Sequence, residues 1–357
     1  MASPIPIQNI YYLLCYAWNT LEEGDVAEVS SMDSTELADL FAKVLISGTN
    51  HLLRRGLTRE YETQEAEMAA IRGRIDVARS ARRMLLQHGR ALCSFDELSV
   101  NTLPNRIIKS TIRRLAGVVT LDKALRHQLL LTHRSMEGIE DIQLNRMVFR
   151  RVQLRRNARF YRFMLCICDI VANSWLVDET TGERRFRDFL RDEKAMARLY
   201  ENFIFNFFRI ERPDLEVKKD KIRWAATSTD EGALAFLPTM QTDISIRSGQ
   251  QTLIIDAKYY QNTLTSYYDS ESIHSHNLYQ LFAYLKNLEA RGGADAVASG
   301  MLLYPVVDKR VRLEYEIQGH AVDICTIDLA QDWRGVRDEL MELVTDLQLG
   351  TTLCALS

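Results

Sequence analysis

The chain has 357 residues, 46% hydrophobic and 26% charged, which suits a globular protein of two or three domains with real cores. A formal net charge of -3 excludes reading a nucleic-acid binder from global charge, so any such role must rest on local basic patches. The six cysteines show no CxxC or Cys/His spacing for zinc and read as free core thiols.

The first apolar run, IYYLLCYAW, is far shorter than the roughly 20 residues of a membrane span. No membrane partner is therefore expected, and the location expected is cytoplasmic. Residues 8–19 read as a helix with Ile10, Leu13, Leu14, Ala17 and Trp18 on one face. A second helix is expected over 34–56, with Ser34 as cap and Gly56 as stop. Residues 59–76 suggest two short strands, and 77–89 a helix ending at Gly89. The stretch 103–117 reads as another helix with Pro104 in its first turn. Its Arg106, Lys109, Arg113 and Arg114 share one face, which is either solvated or a contact for a partner or phosphate.

Residues 146–162 hold seven arginines and no acid, interleaved with Met147, Val148, Phe149, Val152 and Leu154. That pattern points to an amphipathic segment. A guanidinium donates two hydrogen bonds to one phosphate, so Arg150, Arg151, Arg155, Arg156 and Arg159 are candidates for a DNA-backbone contact. An arginine-rich structural helix is the alternative. The expected domains are 1–145, mostly helical with a small β element, and 146–357. Within the second, 193–211 is a strongly apolar helix. Between 220 and 330, strand-like runs surround one helix at 276–290, closed by Gly292 and Gly293. The fold class is α+β or α/β, a central mixed sheet flanked by helices.

One strand, TLIIDAKYY, ends in two charges. If Gly249 and Gln250 form the turn of a type II′ hairpin, Asp243 lies directly across from Asp256. Ile244, Ile246, Leu253, Ile255 and Ala257 then share an apolar face, while Asp243, Ser245, Asp256 and Lys258 share the other. Facing carboxylates repel, so one takes up a proton or a cation sits between them. Lys258 supplies one positive charge and would suffice for a structural triad. A hard ion such as Mg²⁺ suits the carboxylates better, with the carbonyl of Ala257 a candidate further ligand. Such a site can hydrolyse a phosphodiester, Lys258 orienting or helping to deprotonate the attacking water. Downstream, Gln280 and Tyr284 share a helix face and could support the lysine or touch DNA. His274 and His276 read as loop or capping residues, and Glu201 as a candidate third acid.

The order Asp243, Asp256-Ala257-Lys258, Gln280-x-x-x-Tyr284 resembles the PD-(D/E)XK nuclease superfamily with its RecB-like helix motif, with Thr242 where the name has proline. The blocks IPIQNIYYLLCYAW, GRIDVARS, LPNRIIKSTI, FRDFLRDEKAMARLYENF, LPTMQTDISIR, LIIDAKYY, HSHNLYQLFAYL and GMLLYP, in that order, resemble the McrC nuclease subunits of McrBC modification-dependent restriction systems. The resemblance implies a PD-(D/E)XK endonuclease domain in which Asp243, Asp256 and Lys258 are catalytic and Mg²⁺ is the cofactor. It implies as partner an McrB-like AAA+ GTPase ring, docked and stimulated by the N-terminal half, and as substrate double-stranded DNA carrying a modified cytosine. GTP would be handled by that partner, and the chain contains no GxxxxGK[ST]. Glu201 is not carried over by the resemblance. A stand-alone RecB-like repair nuclease and a non-cleaving activator of an AAA+ motor are the alternatives.

Overall fold

Helix α1 (Ile7–Ala17) buries Ile7, Ile10, Tyr11, Leu13, Leu14 and Tyr16, so apolar side chains leave it in several directions. A helix apolar on several sides must be covered on several sides. The single turn α2 (Leu21–Gly24) follows it. The computed structural model describes residues 5–24, 36–155, 157–173, 175–177, 184–186, 192–228, 232–249, 251–260, 265–267, 270–272, 274–306, 310–345 and 347. Two compact units emerge, one of residues Ala38–Arg187 and one joining the stretch through Leu37 to everything from Asp188 onward. The compact units therefore do not divide at the expected 145/146 boundary, and α1 belongs with the later part of the chain. The reason is long-range bonding: buried Asn9 donates to the carbonyls of Leu329 and Gln331 at 2.8 and 2.7 Å.

In the first unit, α3 (Leu37–Arg55) stops where Gly56 takes φ 93°, as expected, while Ser34 lies outside the described residues. The stretch read as two strands is one long strand, β1 (Glu60–Met68), and the two-residue β2 (Arg74–Ile75). Helix α4 (Val77–Arg82) does not run to Gly89; it breaks at Met84, which adopts φ 55°. Only Ser80 of α4 is buried, so no apolar face sustains a longer helix. Strand β3 (Ala91–Ser99) pairs antiparallel with both earlier strands, in the order β1-β3-β2. Helix α5 (Leu103–Ala116), begun by Pro104, packs on α6 (Lys123–Ser135). The arginine-rich stretch forms only the short α7 (Arg146–Arg150) and then irregular backbone before α8 (Arg159–Asn173), which also packs on α5. Strands β4 (Trp175–Val177) and β5 (Arg184–Phe186) pair antiparallel.

The second unit continues with α9 (Glu193–Glu211), at the expected bounds. Its strands are β6 (Glu216–Lys218), β7 (Lys221–Ile222), β8 (Met240–Gln241), β9 (Ile244–Ser248) and β10 (Gln251–Ala257), followed by β11 (Thr265–Tyr267) and β12 (Ser270–Ser272). Helix α10 (Ser275–Glu289) leads to β13 (Ser299–Pro305), β14 (Arg312–Ile317), β15 (His320–Ile327) and α11 (Trp333–Glu342). A six-stranded sheet of order β14-β15-β13-β10-β9-β6 results. Strands β10, β13 and β15 run parallel and the outer pairs antiparallel, so the sheet is mixed. From Thr252 to Ala257 every residue of β10 is buried, the mark of a strand covered on both faces. On one face Leu281, Tyr284, Leu285 and Leu288 of α10 pack with Ile254, Leu302 and Ile324. On the other lie Leu253, Ile255 and Ala257, with Tyr259 reaching Tyr200 of α9 at a ring distance of 6.1 Å. Helix α1 packs in turn on α9 and α11. The sheet flanked by helices is the architecture expected from the sequence. Among the described residues no helix is long and apolar enough to cross a membrane. Five cysteines are free there, four of them buried, and Cys354 lies outside the described residues.

Candidate active site

The β9–β10 hairpin has the expected register: Ile244 faces Ile255 and Ser248 faces Gln251. Gly249 takes the positive φ, 55°, that the turn demands; Gln250 lies outside the described residues. Extending that register by one pair sets Asp243 against Asp256. Just before Asp243 the chain does something the alternation did not reveal. Lys218 pairs with Ser245, yet Lys221 pairs with Gln241, so the 242–244 side carries one extra residue. The extra residue breaks the ladder there, and β7–β8 form a two-stranded sheet separate from the six-stranded one. The Asp243 carboxylate accepts the Ala257 N–H at 3.1 Å.

Lys258 closes the group, its Nζ 3.0 Å from Asp256 Oδ1 and 3.5 Å from Asp243 Oδ2. Its own N–H is tied to the Leu303 carbonyl of β13 at 3.0 Å. The expected polar face is thus not a solvated one, because Asp256 has 0% exposure. Burial pushes the Asp256 carboxyl up to about 7, the neighbouring Lys258 charge pulling down and Asp243 adding to the rise. For Lys258 burial works downward, but Asp256 and Asp243 outweigh it and hold the ammonium above the usual lysine range. Asp256 Oδ2 is buried with no hydrogen-bond partner. A buried carboxylate oxygen without a donor is costly unless a proton or cation serves it. Two aspartates, one of them with an orphaned oxygen, are a hard-oxygen donor set that fits a divalent ion of the Mg²⁺ type.

Helix α10 buttresses the group. Gln280 Nε2 donates to the Tyr284 hydroxyl at 2.7 Å, and that hydroxyl donates to the Gln241 carbonyl at 2.9 Å, on the strand leading to Asp243. Tyr284 is buried in the α10 core, so the pair points into the sheet. The sequence did not single out Tyr260, whose hydroxyl bonds His276 Nε2 and Asn277 Oδ1, both at 3.1 Å. Asn277 in turn donates to the Tyr304 hydroxyl at 3.0 Å. The adjacency of Tyr260 to Lys258 was the one available signal. His274 stacks on Tyr260 at 4.5 Å and its side chain makes no capping bond.

Other candidates are placed elsewhere. Glu201 is paired with Lys219, and among the described residues no three His, Cys, Asp or Glu side chains form a metal-holding group. The basic face of α5 is largely occupied. Lys109 donates to the carbonyls of Met136 and Ile139, Arg106 pairs with Glu140, and Arg113 with Asp141. Those three residues therefore anchor the segment after α6 instead of forming a free phosphate surface. Arg150, Arg151, Arg155 and Arg159 are exposed on and after α7, and Arg156 lies outside the described residues.

The profile of the McrBC 5-methylcytosine restriction system component matches residues 8–305. The chain belongs to the McrBC family. An McrBC-family relative, the Type IV methyl-directed restriction enzyme EcoKMcrBC of Escherichia coli (strain K12), is 36% identical over 339 residues, covering 95% of this chain and 97% of that protein. A solved structure described as a half-complex from a tetradecameric assembly of Thermococcus gammatolerans McrB AAA+ hexamers with bound McrC matches with a TM-score of 0.59 at 17% identity. It covers 95% of this chain and 76% of its own, a likeness that shows the fold of this McrBC-family chain.

Proposed function

We propose that the chain is a Mg²⁺-dependent DNA endonuclease subunit of PD-(D/E)XK type, working with an McrB-like AAA+ GTPase on DNA with a modified cytosine. The observation that carries this reading is the convergence of Asp243, Asp256 and Lys258 at the end of β10, with a carboxylate oxygen of Asp256 left unserved in the core. Family membership supplies the restriction context, and the fold match to an assembly of McrB hexamers with bound McrC supports the partner.

Asp243, Asp256 and the carbonyl of Ala257 would hold the ion. When bound, Mg²⁺ supplies Lewis acidity for a phosphoryl oxygen and lowers the pKa of a water. Lys258, held charged by two carboxylates, serves as a fixed donor that orients the water and balances charge building on the phosphate. Tyr284 keeps the strand before Asp243 in place through the Gln241 carbonyl. Residues 38–187 are the part to which we assign partner docking and stimulation of GTP hydrolysis.

The test is cleavage of methylated plasmid by the full complex with GTP and Mg²⁺. D256N and K258A should each lower cutting by roughly a hundredfold or more while stimulated GTP hydrolysis persists. Undiminished cutting by either variant refutes the assignment. Mg²⁺-dependent cutting of unmethylated DNA by the chain alone would favour the stand-alone repair nuclease instead.

A further inference from the structure

The β7–β8 ladder leads directly into the candidate active site, because Lys221 pairs with Gln241 two residues before Asp243. Ile222 turns inward to the α10 core with 0% exposure. Strand alternation then turns Lys221 and Arg223 outward, where both are exposed. Among the described residues neither side chain makes a hydrogen bond or ion pair. Next to them Trp224 is 40% exposed, its indole N–H fixed on the Pro238 carbonyl at 2.8 Å. The turn Ala233–Phe236 presents Phe236 with 89% exposure. The Ala225 N–H, bonded to Asn287 Oδ1 at 2.7 Å, fastens the chain after Trp224 to α10.

We propose that this lip is a DNA contact of the site, resting on the nuclease reading above: Lys221 and Arg223 neutralise backbone phosphates beside the cut, and Trp224 and Phe236 offer apolar faces to sugars and base edges. The charge pattern decides the partner. Asp243 and Asp256 repel a polyanion, so holding one there needs unpaired cations beside them, and this lip supplies two. A protein interface core is instead depleted in lysine. Unpaired cations next to exposed aromatics are the combination that binds a phosphate backbone and bases together.

The experiment measures binding of the full chain to a short duplex in EDTA over a range of salt, and cleavage in the complex. K221Q/R223Q should weaken binding about tenfold or more at moderate salt and flatten the salt slope by about 2. F236A should weaken binding with the slope unchanged. Tryptophan emission should respond to DNA in the wild type and much less in W224F. Wild-type affinity and slope in K221Q/R223Q overturn the proposal, as does intact DNA binding by F236A coupled to lost GTPase stimulation, which would make the lip a protein contact. A wild-type complex that neither binds nor cuts DNA defeats the nuclease reading itself, an outcome separate from failure of the lip variants alone.

Discussion

Asp256 binds its proton more tightly folded than unfolded, and that difference has a sign. An unfolded aspartate ionises near about 3.9. The folded one is held up to about 7 by burial. As pH rises between those values the unfolded state releases its proton while the folded state keeps it, so stability falls and then levels off above the folded value. In metal-free buffer D256N should therefore be more stable than the wild type at pH near 8, by on the order of a few kcal/mol, with the gap closing towards pH 4. Added Mg²⁺ should raise the wild-type Tm and leave D256N nearly unmoved. Thermal melts of both proteins against pH decide it; parallel curves would show that Asp256 does not carry this proton. The three residues of the group were legible because hairpin register follows from Gly249 and alternation. Full burial of Asp256 was not, since it depends on α10 arriving from later in the chain, and the one-residue register offset at 242–244 leaves no mark in composition.

Helix α10 shows what made an element legible and how tightly it is set. Its leucines recur at helical spacing and glycines close it, as β13 announces itself by the continuous apolar run Met301–Pro305. Strand β3 did not, being buried only at Ala91–Cys93 and largely exposed beyond. Helix α11 also went unread, because only Val336 and Leu340 of its ten residues are buried. Where α10 crosses β13 there is no spare room. A Cβ on Gly300 would lie 3.0 Å from Leu281 Cδ2 and 3.0 Å from Leu285 Cδ1. Both leucines are fully buried and cannot swing into solvent. Gly300→Ala should cost about 1–3 kcal/mol in denaturant unfolding and lower cleavage by shifting Tyr284 from the Gln241 carbonyl. An unchanged midpoint would mean that the helix can move away freely.

At the scale of the whole chain, the first helix is a structural part of the unit that carries the six-stranded sheet, packed on α9 and α11. Pattern alone could read α1 as a helix but could not say what it covers, because its partners lie about two to three hundred residues away, from Tyr16 and Glu211 at a separation of 195 to Asn9 and Leu329 at 320. Tyr16 donates to Glu211 Oε1 of α9 at 2.6 Å, and Arg337 of α11 holds the other oxygen of the same carboxylate at 2.6 Å. The Tyr12 ring stacks on Trp333 at 4.7 Å. Six buried apolar side chains at roughly 1.5–3 kcal/mol apiece amount to about 10 kcal/mol, comparable to the whole stability of a typical domain. A chain begun after residue 24 should therefore lose cooperative folding of the 188–357 unit, with amides of β10 and β13 exchanging rapidly with solvent. The unit of residues 38–187 should keep its protection. Adding a peptide of residues 5–24 should restore protection in β10 and β13, since the missing contacts are packing and hydrogen bonds that need no covalent link. Retained protection without α1 would mean that α9 and α11 close over the sheet by themselves.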